Sequence, residues 1–249
     1  MKHELKIFFT AIMFYTRIPV PKSTGFSPEN LNKATRYFPL IGIIVGSAGA
    51  LSFWTIYQLF PLHIAILAGL ISMILLTGAF HEDAFSDFCD GFGGGYEKKQ
   101  ILAIMKDSRV GTYGAIGLIL LILTKFILLC EFKPSQIPLI LIAAHAMSRV
   151  NPVIMIFSSQ YIRDDNSAKS KPVGQKNSIN TLILAIIFGL LPLVFISPLI
   201  IPFLIFAYAL IFIYFRHYVH KKVGGYTGDI LGALQQFSEV GFYLTYLIV

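Results

Sequence analysis

Three aspartates, Asp83, Asp87 and Asp90, stand at i, i+4 and i+7 in the stretch HEDAFSDFCDGFGGGYEKKQILAIMKDSR, residues 81–109. At about 100° per residue, a helix carries all three within roughly 60° of arc, on one face. Like charges so close repel, so the face costs stability unless a cation sits on it. Hard oxygen ligands at this spacing suit Mg2+, which takes one or two carboxylates together with substrate phosphates. Gly91, Gly93, Gly94 and Gly95 follow at once. A glycine-rich turn lets backbone N–H groups approach an anion closely, which makes Gly93, Gly94 and Gly95 candidate phosphate donors. The bland alternative is a solvated helix with incidental acids. Against it, Phe85, Phe88 and Phe92 alternate with the acids, so the helix packs on something and its acidic face is directed. His81 lies about 160° from Asp83 on the wheel and reads as a hydrogen-bonding or boundary residue rather than a ligand.

Four further groups could serve the same chemistry. In MKDSRVGTYG, residues 105–114, Lys106 and Arg109 are cationic donors and Asp107 is a further carboxylate, a set suited to a diphosphate. The competing reading is interfacial snorkelling before a span. His145 and Arg149, at i and i+4 within an apolar run, share a face that points into the bundle. They serve either function or an intramembrane pairing with a carbonyl, Glu131 or Glu239, while Lys125 reads as a structural snorkeller. The polar run at 161–176 is either a flexible loop or a lid that offers Arg163 to an anion. GGYTGD, residues 224–229, is a tight turn into a helix. Asp229 there either caps that helix or completes a metal–phosphate pocket from the opposite side of the bundle.

The elements that must position these residues are membrane helices. The chain has 249 residues, 55% hydrophobic and only 13% charged, against about 25% charged in a soluble domain. We expect a single all-α polytopic membrane domain over residues 1–249. Seven spans fit, at about 38–60, 62–80, 111–130, 137–157, 179–196, 199–215 and 232–249, each near the hydrocarbon thickness. Pro198 and Pro202 leave room for different breaks within 179–215. The apolar stretch at 5–15 is too short to span and is cut off by Arg17, Pro19 and Pro21, so it is expected to lie in-plane or re-enter. With the N-terminus inside, the cytoplasmic segments hold seventeen of the twenty Lys and Arg, as the positive-inside rule asks. That layout also turns the acidic stretch to the cytoplasm. The net charge of +7 reports loop topology and anionic membrane lipid, not nucleic acid, because no basic run is interleaved with aromatics. Cys89 and Cys130 form no disulfide framework.

Taken together, the motifs resemble the cobalamin synthase family, the adenosylcobinamide-GDP ribazoletransferases. The resemblance runs through FYTRIP at 14–19, RYFPLIGIIVG at 36–46, the H-x-D-x3-D-x2-DG-x-GGG core at 81–95, MKDSRVGTYG, the step at 149–151 and GGYTGD. Glu82 and Cys89 stand where the family pattern suggests apolar or small residues. The resemblance implies a Mg2+-dependent enzyme of the inner cell membrane, active on the cytoplasmic face, in a late step of vitamin B12 assembly. It joins α-ribazole, or its 5′-phosphate, to adenosylcobinamide-GDP and releases GMP. Carried onto this chain, it implies Mg2+ on Asp83, Asp87 and Asp90. Asp107 and Asp229 would be second-tier ligands, or one of them the base. Lys106 and Arg109 would neutralise the leaving GMP, Gly93–Gly95 would donate backbone N–H groups, and Arg149 or Arg163 would hold the second phosphate. It leaves room for a homo-oligomer.

Two rival transferase readings fit less well. Asp87-x2-Asp90-Gly91 mimics the opening of the CDP-alcohol phosphotransferase motif, but Gly94-Gly95 stand where that motif expects Ala-Arg. Prenyltransferases also bind magnesium diphosphate on aspartate helices, yet their pattern lacks this glycine run and the KDSR box. A transporter would spread charges through several spans rather than gather acids at one membrane face.

Overall fold

The computed structural model describes residues 2–162 and 178–249. The described chain is helical: α1 (Lys2–Tyr15), α2 (Pro28–Ala34), α3 (Phe38–Tyr57), α4 (Leu62–Thr77), α5 (Phe80–Gly94), α6 (Lys98–Ile104), α7 (Thr112–Cys130), α8 (Ile137–Met147), α9 (Val150–Ser158), α10 (Ile179–Leu190), α11 (Ile201–Val223) and α12 (Gly228–Ile248). Among the described residues, Tyr161 and Tyr226 form an isolated parallel bridge. Both cysteines are free thiols.

Proline and glycine set most of the breaks. Pro61 precedes α4, Pro39 and Pro138 sit in the first turns of α3 and α8, and Gly78 and Gly224 close α4 and α11 in left-handed geometry. Four stretches are long and apolar enough to cross a membrane: Pro28–Tyr57, Thr112–Cys130, Ile137–Ser158 and Pro198–Val223. Helices α4 and α5 pass the same test only as a pair bent by 87°, and Ile179–Phe195 is a shorter apolar segment. The protein is thus a helical membrane protein with four such helices among the described residues, or five if the bent pair is one span, so the expected seven is approximate and α12 is not among them. Helix α1, at 14 residues, is short of the roughly 20 needed to span.

Three boundaries differ from expectation for physical reasons. The run at 62–80 ends at Thr77, because Gly78 and Ala79 take left-handed backbone at φ 66° and 58° and turn the chain into α5. The run at 137–157 is two helices that meet at Ser148–Arg149. Helix α11 continues past Phe215 through Arg216 and Lys221 to Val223, since charge stops a membrane span but not a helix.

The helices approach closely where side chains are absent. A Cβ on Gly42 would collide with the carbonyl oxygen of His145, and one on Gly46 would stand 2.7 Å from Ile142 Cα. These glycines lie four residues apart on α3 and admit the backbone of α8, the small-residue packing that lipid solvent favours.

A buried charge cluster ties α5, α7, α8 and α12 together. Glu239 on α12 is 0% exposed. Its carboxylate pairs with Lys125 Nζ at 2.9 Å and accepts hydrogen bonds from Tyr243 Oη and Gln235 Nε2, each at 3.0 Å. His145 Nε2 stands 3.3 Å from the same carboxylate, without hydrogen-bond geometry. Lys125 also donates to Gln236, whose Nε2 donates to Glu82 on α5 at 3.0 Å. Lys125 is therefore no snorkeller: it is 5% exposed, turned inward to a carboxylate.

Two outcomes test this packing. Gly42→Ala is expected to lower stability by about 1–3 kcal/mol through overpacking, while Gly228→Ala, with open space around it, leaves it unchanged, read by thermal unfolding in detergent. Lys125→Met strands a buried carboxylate and is expected to cost about 3–5 kcal/mol; adding Glu239→Leu should restore part of that loss in a double-mutant cycle.

Candidate functional site

The corner at Gly78–Ala79 fixes how α5 is presented. One face of α5 is apolar: Phe88 stacks on Phe215 of α11 with ring centroids 5.3 Å apart, and Phe85 meets Phe237 of α12 at 5.3 Å. Gly232 of α12 lies against Ala84. The aspartates take the other side. Asp83 is exposed, Asp87 half-buried and Asp90 buried, a gradient that follows α5 toward its C-terminal end. His81 is buried away from them, stacked on Phe38 at 5.7 Å.

Asp90 is committed to another helix. Its two oxygens accept the backbone N–H groups of Gly111 at 2.7 Å and Gly114 at 2.8 Å. These are the orphan donors of the first turn of α7, whose own N-cap, Gly111, has no side chain to satisfy them. A Cβ at either glycine would strike the Asp90 carboxylate. The two glycines of the VGTYG segment are thus spaced to admit it, a role that sequence reading misses because Asp90 lies more than twenty residues upstream.

The glycine run is not the open phosphate cradle that the sequence suggests. Gly93 and Gly94 lie inside α5, whose ladder uses their N–H groups, and Gly95 donates its N–H to Gly91 O at 2.9 Å. Smallness is what Gly93 and Gly95 supply: a Cβ on Gly93 would stand 2.6 Å from the ring of Tyr113, and one on Gly95 2.6 Å from Ile101 Cγ1.

Next to Asp90, the KDSR box folds on itself. Asp107 accepts from the backbone N of Arg109 at 3.1 Å, from its Nε at 3.0 Å and from its Nη2 at 2.6 Å. The guanidinium holds the Asp107 carboxyl down at about 2. The group therefore stays ionised at neutral pH and is a poor proton acceptor there. Asp90, Gly94, Asp107, Arg109, Thr112 and Tyr113 are among the walls of an open cleft of about 460 Å³. Since Gly94 is eleven residues beyond Asp83, this cleft receives the C-terminal end of the aspartate face. Lys106 lies exposed in the same segment.

Asp229 opens α12, half-buried, and accepts from the Thr227 hydroxyl at 3.3 Å, while Thr227 caps the helix through Ile230 N at 3.4 Å. It stands one turn before Gly232 and so near the α5 contact. The turn ahead of it is bonded to the end of the α9 segment: Ile162 N donates to Tyr226 O at 3.1 Å, and Tyr226 N to Gln160 O at 2.9 Å. Arg163 lies outside the described residues.

Arg149 is not brought to the cleft. At 1% exposure it sits between α8 and α9, donates to His145 O and lies 5.3 Å over the Phe38 ring. That enclosed position replaces the expected phosphate contact with an internal one. Among the described residues, no three His, Cys, Asp or Glu side chains converge at metal-ligand range. The exposed carboxylate on this face is Asp83, with the half-buried Asp87 one turn further on, and this pair could offer oxygen donors to a hard cation. That chemistry fits Mg2+, which draws the rest of its shell from phosphate and water.

The family model described as cobalamin-5-phosphate synthase matches residues 7–247. The adenosylcobinamide-GDP ribazoletransferase of Shewanella frigidimarina (strain NCIMB 400) is 44% identical over 249 residues, covering 99% of this chain and 95% of that protein. Proteins of the same name from Shewanella baltica (strain OS185) and Shewanella piezotolerans are each 43% identical, covering 99% and 100% of this chain and 95% and 97% of their own. No solved structure matches the chain. The match runs from α1 to the last turn of α12, through every motif that shapes the cleft, and the chain belongs to the cobalamin-5-phosphate synthase family.

Proposed function

We propose that the protein transfers the adenosylcobinamide-phosphate group of adenosylcobinamide-GDP to α-ribazole or its 5′-phosphate, releasing GMP, at the cytoplasmic face of the inner cell membrane. The relatives' names and the family match support this reaction. The observation that carries it into this chain is the aspartate face of α5 running into a cleft walled by the Asp107–Arg109 pair.

In the reaction, a ribazole hydroxyl oxygen forms a new bond to the phosphorus nearest the corrinoid. The P–O bond to GMP breaks, and the hydroxyl proton passes to a base. Charge on the diphosphate sets the barrier. Bound Mg2+ would neutralise part of that charge and orient the phosphates. Asp83 and Asp87 would hold it. Asp90 would brace α5 against the first turn of α7 and keep the two carboxylates in register with the cleft. Arg109 and Lys106 would face the leaving GMP, with Arg109 steadied by Asp107. Asp107 is too acidic to take the proton, which leaves Asp229, across from α5, as the base or a further ligand.

The direct test is GMP release by the purified protein from adenosylcobinamide-GDP and α-ribazole, with CDP-alcohols and prenyl diphosphates as rival substrates. Release that persists in EDTA would remove Mg2+ from the account, and turnover of a rival substrate in its place would remove the transferase assignment. Asp83→Asn and Asp87→Asn are expected to lower kcat by about a hundredfold or more with little change in thermal stability. Asp90→Asn should lose about 1–3 kcal/mol of stability as well, because a charged acceptor of two backbone N–H groups is weakened. Asp107 has a folded pKa below its ordinary value, so its pairing with Arg109 persists until pH falls toward about 2. Asp107→Asn should therefore lower kcat/KM by about tenfold without moving any limb of the pH–rate profile above about pH 4.

A further inference from the structure

The FYTRIP segment, residues 14–19, contributes nothing to the cleft, yet it is fastened to the start of α5. Arg17 N donates to Leu76 O at 2.7 Å. Thr16 Oγ1 donates to Ile12 O at 2.7 Å and accepts from Ile18 N at 3.2 Å, which locks the chain as it leaves α1. Phe14 and Tyr15 meet the Phe80 ring edge-on, with centroids 5.5 and 5.9 Å away. Phe80 is three residues before Asp83 and seven before Asp87, so it shares their helical face. The end of α1 therefore stands at the N-terminal end of the aspartate face.

The Arg17 side chain fills the corner between α4 and α5. A Cβ on Gly78 would strike its Nε, so the glycine leaves room for the guanidinium as well as for the left-handed turn. Arg17 is exposed, and no carboxylate among the described residues pairs with it. A cation fixed at its base and uncompensated at its tip, one helical turn from an acidic face, is arranged for an anion that the chain does not itself supply. A planar guanidinium matches phosphate oxygens two at a time.

We propose that Arg17 is a phosphate-binding residue of the substrate site, gripping the diphosphate of the nucleotide-linked substrate at the Asp83 end of α5. The inference rests on the transferase reading above. Phosphate chemistry at a membrane surface has two sources, the substrate and a lipid headgroup, and this assignment is to the substrate.

The test uses the full-length protein, wild type, Arg17→Ala and Arg17→Lys, in phosphatidylcholine nanodiscs with and without phosphatidylglycerol. KM and kcat are measured for both substrates, and GDP binding is titrated directly. Loss of one charge-assisted phosphate contact should raise the KM for adenosylcobinamide-GDP and the Kd for GDP by about tenfold to a hundredfold in Arg17→Ala. The KM for α-ribazole should stay within about twofold. Arg17→Lys, which keeps the charge but not the fork, should fall between. The same pattern should appear in both lipid compositions. Unchanged GDP affinity, a parallel rise in both KM values, or a defect confined to discs with phosphatidylglycerol would overturn the assignment. If Arg17→Ala unfolds, the Arg17→Lys titration decides alone. A wild-type protein that releases no GMP would sink the transferase reading, and the GDP titration would still judge Arg17.

Discussion

The Glu239 carboxylate is the charge around which the membrane part of the protein is assembled. A lone carboxylate at that depth would be expelled, protonated or flooded with water. It is kept by donors from two helices, Lys125 from α7 and Gln235 and Tyr243 from its own α12, with the His145 ring of α8 standing against it. Each of these is costly to bury alone, so the set is satisfied only when all the helices are in place. Through Gln236 the same cluster reaches Glu82, one residue before Asp83. The orientation of the aspartate helix is thereby linked to the packing of the bundle beneath it.

A second cross-helix bond sets the other end of α5. Asp90 supplies to α7 the cap that α7 lacks, and the two motifs that look separate in sequence become one structural unit. This separates the three aspartates by job. A shared arc on the helical wheel makes them look like equivalent ligands, but their neighbours do not: the wheel shows direction and not what lies in that direction.

The same distinction explains what was legible in the sequence. Helix class, the membrane setting, the packing of the phenylalanines in α5 and the nearness of the KDSR box to the aspartates follow from composition, periodicity and charge placement, which are local properties. The glycine run reads as an anion loop because glycine permits such a loop; only Ile101 and Tyr113, brought in from elsewhere, show that it serves close packing. Arg149 reads as a ligand because buried charge in an apolar run suggests function, whereas Phe38 and His145 enclose it. Lys125 reads as an interfacial side chain because its partner is more than a hundred residues away. Every one of these differences depends on a contact between residues distant in the chain.

The 87° turn between α4 and α5 has a consequence for what an anion meets there. Because α5 leaves the direction of α4 at that corner, its phenylalanines meet α11 and α12 while its aspartates take the other side. An anion drawn to that side would meet exposed charge rather than apolar side chains, which spares it the cost of an apolar surrounding. The turn thus divides charged from apolar surroundings along the two sides of a single helix.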